Sequence, residues 1–392
     1  MKTVAIVGAG IAGVIPAYYL AKQGYSVTII DQERYPAMRC SYANGGQVSV
    51  SNSEVWNTWS NIVKGIKWMF TKDAPLYVSP KLEWDKVRWL TKFLYHTVIK
   101  DHIPNTASTI QLGVTSRALY KQIIADENLQ FDQSDCGILH IYKNQKYFDA
   151  ANFIAPVYTA NGCSWEMLDK EQSEKIEPAL KDSVDIIGGV WTKEDWVGDI
   201  HKFCNELTQL MVDKYGVKFL HGVVIEDLDR LSTLYDKVVV AAGVGSAKLA
   251  GTIGDSINIY PVKGYSITIH LRDQRSINAA PQTSILDDEA KIVCSRLGNR
   301  LRVAGTAELI GENYDIKRDR VEPLLNWVHK NFPHVDCREY SSWSCLRPMT
   351  PNMMPIISKS NTRPNIYYHT GHGHLGWTLS PATAKQLIGL MA

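Results

Sequence analysis

The sequence predicts an α/β protein with two interleaved domains, and three observations support this class. The run Thr3–Val7 is short, apolar and rich in β-branched residues, as in a central strand of a parallel sheet. A glycine-rich turn, a helical stretch and a second strand, Ser26–Asp31, complete one βαβ unit. Residues 259–310 read instead as successive strands. With 392 residues and no low-complexity linker, the chain has room for a second domain inserted into the first.

The elements between these regions are mostly helical. Residues 108–127 and 199–216 have the spacing and composition of helices. Residues 137–142 alternate in polarity as a strand does. The apolar run 237–243 predicts another buried parallel strand, with Gly243 at its tip.

Composition and charge exclude several classes of protein. A net charge of +2 gives no reason to expect a nucleic-acid partner. The seven cysteines are scattered and form no C-x-x-C pair, which argues against a disulfide framework and against a thiolate zinc site. Reduced thiols favour a cytoplasmic location. No run of about 18 apolar residues occurs, so we expect no membrane-spanning helix.

The first turn has the pattern of a dinucleotide-binding site. Gly8 permits a tight turn, Gly10 lets a pyrophosphate approach the backbone, and Gly13 allows close packing of helix on strand. The helix start presents free N–H groups to the phosphates, and Asp31 ends the next strand, where it can accept hydrogen bonds from ribose hydroxyls. The alternative is a tight βα turn that binds nothing.

Pro16 conflicts with this motif. It lies about six positions into the predicted helix, where a proline removes one backbone hydrogen bond and costs about 3 kcal/mol. We therefore expect a kink in this helix, away from the phosphate-binding end.

Several later segments resemble one enzyme family. The loop "SYANGGQVS" (41–49) is similar to the Ser-x-x-Asn-Ala/Gly-Gly-Gln loop of FAD-dependent D-amino acid dehydrogenases, within the wider group that includes glycine oxidase and D-amino acid oxidase. Other segments resemble the same family in the same order: "YPVKGYSITI" (260–269), "NRLRVAGTAELIG" (299–311), "LRPMTPNMMPII" (346–357) and "TGHGHLGWTLSPA" (370–382). The resemblance covers nearly the whole chain.

The resemblance implies an α/β fold in which a Rossmann-like FAD-binding domain is interleaved with an α+β substrate domain on a mainly antiparallel sheet. The FAD-binding domain is expected to comprise 1–90, 165–250 and 340–392. The substrate-binding domain is expected to comprise 91–164 and 251–339.

The resemblance also implies non-covalently bound FAD. Backbone N–H groups at the glycines of 371–376 are expected to approach the edge of the flavin ring, and the helix that follows points its positive end the same way. The residues expected to contact the cofactor are Gly8, Gly10, Gly13, Asp31, Gln32, Ser41, Asn44, Gly45, Gly46, Gln47, Gly243, Gly373, His374, Leu375 and Gly376.

Two alternatives for the C-terminal segment remain. His372 and His374 raise the possibility of a metal site, but they lie two residues apart and no nearby Cys, Asp or Glu completes a ligand set. We therefore expect no metal. The other alternative is a glycine-rich surface turn.

The residues expected to act in catalysis are Arg347, Tyr265 and His374. Arg347 is the arginine of the "LRP" segment, which the family resemblance assigns to the substrate carboxylate, because a guanidinium matches a carboxylate in a bidentate pair. The alternative for Arg347 is an ion pair at the domain interface, and the alternative for Tyr265 is ordinary strand packing.

The resemblance implies oxidative deamination of D-amino acids to 2-oxo acids and ammonia, with electrons passed to a quinone or another acceptor than oxygen. The alternatives are an oxygen-using amine oxidase, such as glycine or sarcosine oxidase, and a flavin-binding protein without catalysis. Residues 56–78 mix Trp, Lys and aliphatic side chains as an interfacial helix would. They predict peripheral contact with the cytoplasmic face of the inner membrane, or a cover over the substrate cavity.

Overall fold

The structure, a computed structural model, describes residues 2–69, 75–182 and 185–392. A six-stranded sheet has the order β16-β17-β10-β1-β2-β9, and all of its pairs are parallel except β16 with β17. Its strands are β1 (Thr3–Val7), β2 (Ser26–Asp31), β9 (Lys218–His221), β10 (Lys237–Val240), β16 (Ile356–Lys359) and β17 (Ile366–Thr370). The predicted βαβ start and the buried strand near Gly243 are confirmed.

A second sheet joins nine strands. They are β4 (Leu76–Val78), β5 (Ile138–Tyr142), β6 (Glu166–Asp169), β7 (Gly188–Thr192), β11 (Tyr260–His270), β12 (Ser284–Asp287), β13 (Ile292–Leu297), β14 (Arg300–Leu309) and β15 (Tyr340–Met349). The expectation of a mainly antiparallel sheet is wrong. The sheet is mixed, because β5 runs parallel to β12 and β4 runs parallel to β14. A separate antiparallel pair joins β3 (Gln47–Val48) to β8 (Trp196–Val197).

Helices cover both sheets. They are α1 (Ile11–Lys22), α2 (Trp59–Met69), α3 (Trp84–Val98), α4 (His102–Glu127), α5 (Gln145–Ala160), α6 (Lys170–Ile176), α7 (Ile200–Tyr215), α8 (Leu228–Leu234), α9 (Gly245–Thr252), α10 (Gln274–Ala279), α11 (Arg318–Asn331) and α12 (Gly376–Met391). Two 3-10 turns occur at Val50–Asn52 and Pro178–Asp182. The predicted helices at 108–127 and 199–216 are confirmed within α4 and α7.

The parallel sheet is buried on both faces, as its unbroken apolar strands require. On one face, Val4 and Ile6 of β1 pack in one core cluster with α1, α7 and α12. On the other face, Ala5 and Val7 pack with α8 and α9. The second sheet has its own core, where β11 and β14 pack against α11. The two sheets therefore pack in different core clusters, and the division into two domains stays a prediction.

Strand pairing assigns four strands differently from the predicted domain boundaries. β6 and β7 lie within 165–250 and β15 lies within 340–392, yet all three belong to the second sheet. β4, within 1–90, also pairs there. The chain therefore passes between the two sheets more often than the sequence suggested, and the domain boundaries themselves stay a prediction.

Helix α1 continues through Pro16, the sixth of its twelve residues. Because proline has no N–H, the carbonyl of Ala12, four residues earlier, lacks its usual helical partner. His369 of β17 replaces this partner, since its Nδ1 lies 2.6 Å from the Ala12 oxygen. A side chain 357 positions away thus satisfies the carbonyl that Pro16 leaves free.

Candidate functional site

The turn between β1 and α1 has the shape of a phosphate cradle. Gly8 has a φ of +109°, and a Cβ at Gly13 would lie 1.9 Å from the Gly8 oxygen. Only glycine allows this contact of helix on turn. At Gly10 a Cβ would meet nothing closer than the Ser41 hydroxyl at 3.5 Å, so the space above Gly10 is open to a ligand. Gly10 is the N-cap of α1; the N–H groups of Ile11 and Gly13 donate to Ser41 Oγ and Gly10 O, and the N–H of Ala12 is left for an anion.

Asp31 organises this cradle. Its carboxylate accepts hydrogen bonds from the N–H of Ala9 at 2.5 Å and from the N–H of Glu33 at 2.8 Å. Burial raises the pKa of Asp31, while these two backbone donors oppose the rise. Each carboxylate oxygen keeps a second lone pair for a ribose hydroxyl, which fits the predicted role. Gln32, the next predicted contact, is exposed.

The loop from Ser41 to Gln47 joins the cradle to the second sheet. The Ser41 hydroxyl accepts from the N–H of Ile11 at 3.2 Å, so this hydroxyl lies at the N-terminus of α1. Further along the loop, the Asn44 side chain accepts from Gly46 N–H at 2.9 Å, and the Gln47 amide donates to Ser284 at 2.8 Å.

Three side chains of the second sheet hold the backbone of this loop. Ser266 donates to Ala43 O, Ser295 donates to Gly45 O, and Arg302 donates to Asn44 O. A Cβ at Gly45 would lie 2.4 Å from Val293, so the loop lies flat on the sheet. The loop therefore bridges the two sheets and can follow an extended cofactor between them.

The C-terminal segment differs in one respect from the prediction. Gly371 and Gly373 have φ values of +72° and +57°, and a Cβ at Gly373 would lie 2.7 Å from the sulfur of Met349. The Gly373 N–H, however, donates to Pro348 O at 3.0 Å, so it is engaged with the protein and is not offered to a flavin. The donors that remain by geometry are the first N–H groups of α12, which starts at Gly376 after Leu375. Gly243, at the tip of β10, accepts from Thr370 at 3.2 Å and so lies beside this segment.

Arg347 lies on the side of the second sheet that faces the loop. Its guanidinium packs against Gly264, where a Cβ would lie 2.2 Å from Nη2. Arg347 Nη1 donates to Thr306 O at 3.0 Å. Thr306 has a φ of +57°, unusual for a β-branched residue, and its buried hydroxyl has no hydrogen-bond partner. A strained backbone and an unused hydroxyl beside a guanidinium are typical of a ligand site.

His374 lies near Arg347 and has one free ring nitrogen. Its ring hydrogen-bonds the backbone of Asn52 and stacks on Trp56 with centroids 4.9 Å apart. Nε2 is buried without a partner, so the bond to Asn52 must come from Nδ1. Burial and the nearby charge of Arg347 lower the pKa of His374 to about 4, which keeps the ring neutral at pH 7.

Tyr265 does not join this group. It neighbours Gly264 on β11 and therefore points to the opposite face of the sheet. There it packs in the α11 core and donates to Glu308 at 2.8 Å. The expectation that Tyr265 lines the pocket is therefore corrected in favour of strand packing. The alternation along β11 indicates that Tyr265 and Gly264 are on opposite faces of the sheet. The sequence does not show which of these faces lines the candidate site.

Two site features were missed in the sequence. Gly264 and Thr306 are unremarkable as letters, because their importance depends on strand register and on one dihedral angle. No group of three or more His, Cys, Asp or Glu side chains suited to a metal ion occurs within residues 2–69, 75–182 and 185–392.

The sequence is similar to a known family and to named relatives. Residues 3–390 match the family model described as DAO, FAD dependent oxidoreductase. The chain is 44% identical over 407 residues to "D-amino acid dehydrogenase 3" of Mesorhizobium japonicum, covering 100% of this chain and 97% of the relative. It is 36% identical over 402 residues to the D-amino acid dehydrogenase of Rhizobium rhizogenes, covering 99% and 95%.

Two solved structures share the fold. The glycine oxidase of Geobacillus kaustophilus matches with a TM-score of 0.75 at 19% identity, covering 100% of this chain and 95% of that one. The glycine oxidase of Bacillus cereus matches with a TM-score of 0.73 at 20% identity, with the same coverage. At these identities the likeness establishes the architecture alone.

Proposed function

Because the chain belongs to the family of FAD-dependent oxidoreductases, we propose that it oxidises D-amino acids to 2-oxo acids and ammonia. The observation that carries this proposal is that the Arg347 guanidinium lies near a His374 ring nitrogen that has no hydrogen-bond partner. The two groups suit the carboxylate and the amine of one amino acid. The relatives named D-amino acid dehydrogenase support the choice of substrate class.

FAD is the cofactor of this family, and the residues present fit it. The Gly8–Gly13 turn and the α1 N-terminus would hold the pyrophosphate, Asp31 the ribose, and the loop Ser41–Gln47 the extended middle of the cofactor. When bound, FAD supplies the acceptor of two electrons and one hydrogen. The Cys40 thiol donates to Leu346 O, so we propose that the cofactor is bound without a covalent link.

A simple fractionation tests this mode of binding. The purified protein should be yellow, and acid precipitation should release the flavin into the supernatant. Colour that stays in the pellet would contradict non-covalent binding. A colourless protein that takes up no added FAD would contradict the cofactor itself.

Arg347 would bind the substrate carboxylate. One of its amino groups is held by Thr306 O, which orients the guanidinium plane and leaves other N–H donors for a ligand. The unpartnered Thr306 hydroxyl can donate to the same carboxylate. Two fixed donors would place the α-carbon within a narrow range of positions, which is the main contribution that a protein can make to such a reaction.

His374 would accept a hydrogen bond from the substrate amine. Its tautomer is set by the Asn52 carbonyl, so Nε2 presents a lone pair, and its lowered pKa prevents protonation at neutral pH. A neutral acceptor orients an amine without adding positive charge beside Arg347. The imino acid product would then leave the site and be hydrolysed by water.

Anaerobic addition of D-alanine tests the function and separates the alternatives. Rapid bleaching of the flavin absorbance is expected for a D-amino acid dehydrogenase, and L-alanine provides the control. Absence of bleaching with any D-amino acid would favour a flavin-binding protein without catalysis. Recolouring in air is expected to be slow compared with reduction of a soluble quinone; fast recolouring with stoichiometric peroxide would favour the oxidase.

The physiological acceptor is proposed to be a quinone at a membrane surface. No described helix is long and apolar enough to cross a membrane. On α2, Trp59, Val63 and Ile66 share one helical face and are more than half exposed, at 57%, 64% and 55%. On α3, the exposed residues Leu90 and Leu94 likewise share a face. Residues 70–74 of the predicted interfacial segment lie outside the described ones.

Charge near this surface favours an anionic membrane. Lys81, Lys92 and Lys100, which lie within α3 or close to it in sequence, are exposed. Apolar residues flanked by lysines are typical of interfacial helices. The seven free cysteines fit the cytoplasmic face, where thiols stay reduced.

Vesicle sedimentation tests membrane contact. The protein should bind vesicles that contain phosphatidylglycerol and bind phosphatidylcholine vesicles less. The variant Trp59→Ser with Ile66→Ser should lose this binding, whereas Leu234→Ser, which changes an exposed leucine on α8, should retain it. Equal binding by both variants would rule out this surface.

A further inference from the structure

A buried chain of hydrogen bonds runs from Ser49, beside the first turn of α12, to the partly exposed Asp288. The Ser49 and Ser51 hydroxyls lie 3.0 Å apart, and Ser51 Oγ lies 2.9 Å from His140 Nε2. His140 Nδ1 lies 3.0 Å from Asp288 Oδ2. Ser49, Ser51 and His140 are almost fully buried, whereas the Asp288 side chain is 23% exposed.

The partners fix the direction of each proton in this chain. Burial would raise the pKa of Asp288, but the charge of Lys291 and the hydrogen bonds from His140 and Tyr142 hold the pKa below its usual range, so Asp288 is a carboxylate that accepts. His140 must then donate from Nδ1 and accept at Nε2 from the Ser51 hydroxyl. Ser51 in turn accepts from Ser49, which leaves the Ser49 lone pairs at the inner end.

The inner end lies against the segment that carries His374. The Ser49 N–H donates to Thr378 Oγ1 at 3.1 Å, in the first turn of α12. Asn52, one residue after Ser51, is hydrogen-bonded by the ring of His374. The stretch from Ser49 to Asn52 therefore contacts the segment 374–378 at both ends.

The proposed reaction needs an exit for one proton. An amino acid zwitterion that becomes an iminium loses its Cα hydrogen with both electrons, and its ammonium group loses one proton. His374 is a poor store for this proton because its pKa is about 4.

We propose that Ser49, Ser51, His140 and Asp288 form a relay that carries the amine proton of the substrate to the surface. This inference rests on the proposed function. Ser49 would accept the amine proton as its own hydroxyl proton passes to Ser51, and His140 would take a proton at Nε2 from Ser51 and release one from Nδ1 to Asp288. The partly exposed Asp288 would release this proton to solvent, so no net charge stays in the protein. A histidine can take a proton at one ring nitrogen and release one from the other, which suits it to move protons between buried and exposed groups.

The same three groups could instead form a nucleophile, but their surroundings oppose that use. The N–H groups of Val50 and Ser51 donate to Asp195 at 3.1 Å and 3.0 Å, so the backbone beside Ser51 has no free donor pair for an oxyanion. Ser51 is also buried, with 2% of its surface exposed.

Other charged groups surround the outer end of the relay. Tyr142 donates to Asp288 at 2.6 Å, and Lys291 lies 3.4 Å from its second oxygen. Glu54 and Lys64 also lie close enough to interact with this cluster, and the Trp165 and His140 rings are tilted to each other with centroids 5.6 Å apart. Any pH dependence therefore belongs to the group and not to His140 alone.

Stopped-flow reduction by D-alanine with a pH-indicator dye tests the relay. His140→Gln and Ser51→Ala should slow both flavin bleaching and proton release by about tenfold or more, and enlarge the solvent isotope effect. Tyr142→Phe is the matched control, since it removes a buried partner of Asp288 that lies off the path. FAD content, and the affinity for propionate, which has no amine, should be unchanged in all three variants.

Small bases give a second readout. Imidazoles of different basicity should restore the rate of His140→Gly in proportion to their basicity. If His140 only filled space, the restored rate would not depend on basicity. Variants that reduce at the wild-type rate would overturn the relay alone, whereas wild-type protein that no D-amino acid bleaches would overturn the proposed function and the relay with it. Labelling of Ser51 by a fluorophosphonate would replace the relay with a nucleophilic role.

Discussion

The guanidinium of Arg347 lies directly against the Cα of Gly264, at a point where an added Cβ would come within 2.2 Å of Nη2. The two residues are on paired strands, since Arg347 is opposite Val262 and Gly264 is opposite Cys345 in the ladder of β11 with β15. The absence of a side chain at Gly264 therefore provides the space in which the proposed carboxylate-binding group lies.

Gly264→Ala is expected to weaken substrate binding. Gly264 does not have a positive φ, so alanine suits its backbone, and the effect should come from displacement of the guanidinium. KM for D-alanine should rise while FAD content stays the same. Gly251→Ala, where a Cβ meets nothing within 4 Å, is the control. An unchanged KM in steady-state assays would mean that Arg347 does not contact substrate from this position.

Arg347→Ala is expected to raise KM steeply and to lower kcat, because a loosely held α-carbon is misaligned with the flavin. Loss of a charge-assisted pair in a closed site costs about 2–5 kcal/mol. This corresponds to a loss of roughly thirtyfold to several thousandfold in kcat/KM. Arg347→Lys keeps the charge but not the fork and should also be impaired. A variant that mainly loses flavin would show instead that the arginine is structural.

Gly10→Ala and Gly13→Ala should separate cofactor binding from folding. A Cβ at Gly10 meets only Ser41 at 3.5 Å, so the apoprotein should fold normally while the pyrophosphate is obstructed. A Cβ at Gly13 would lie 1.9 Å from Gly8 O, so that variant should lose stability as well. Flavin-to-protein absorbance and the melting temperature of the apoprotein measure the two effects. Full FAD retention by Gly10→Ala would contradict the cradle.

The contact of His369 with Ala12 predicts coupling between His369 and Pro16. His369→Leu should leave the Ala12 carbonyl unsatisfied and cost about 1–3 kcal/mol. In a Pro16→Ala background, the new N–H of residue 16 supplies a partner, so the same change should cost less. Urea midpoints of the four proteins form a double-mutant cycle in which the shared loss of packing cancels. Equal costs in both backgrounds would mean that the contact does not compensate for the proline.

Acid is expected to destabilise the protein through its buried histidines. Burial lowers the pKa of His369 from its usual value of 6.5 to about 4, and it also lowers the pKa of His372. Between pH 6.5 and 4 the unfolded chain therefore binds more protons than the folded protein. As pH is lowered through this window, the free energy of unfolding should decrease by up to ~1.4 kcal/mol per pH unit for each histidine. Urea midpoints of wild type and His369→Leu should converge as pH falls from 7 to 4.5. Parallel profiles would contradict a buried neutral His369.

The sequence by itself determined the local parts of this protein. The βαβ unit, the roles of Gly8, Gly10 and Gly13, and the placement of Asp31 depend on contacts within about thirty residues, where strand period and turn chemistry suffice. Arg347 was identified through resemblance, because a long ordered match carries information that a single arginine does not.

Only the tertiary structure decided the remaining parts, because they depend on residues distant in sequence. Strand register placed Gly264 under Arg347 and turned Tyr265 to the opposite face. The engagement of the Gly373 N–H by Pro348 depends on a contact between two segments that the sequence treats separately. Pro16 shows the same limit most clearly: it breaks a local rule, and the side chain that compensates for it, His369, comes from the far end of the chain.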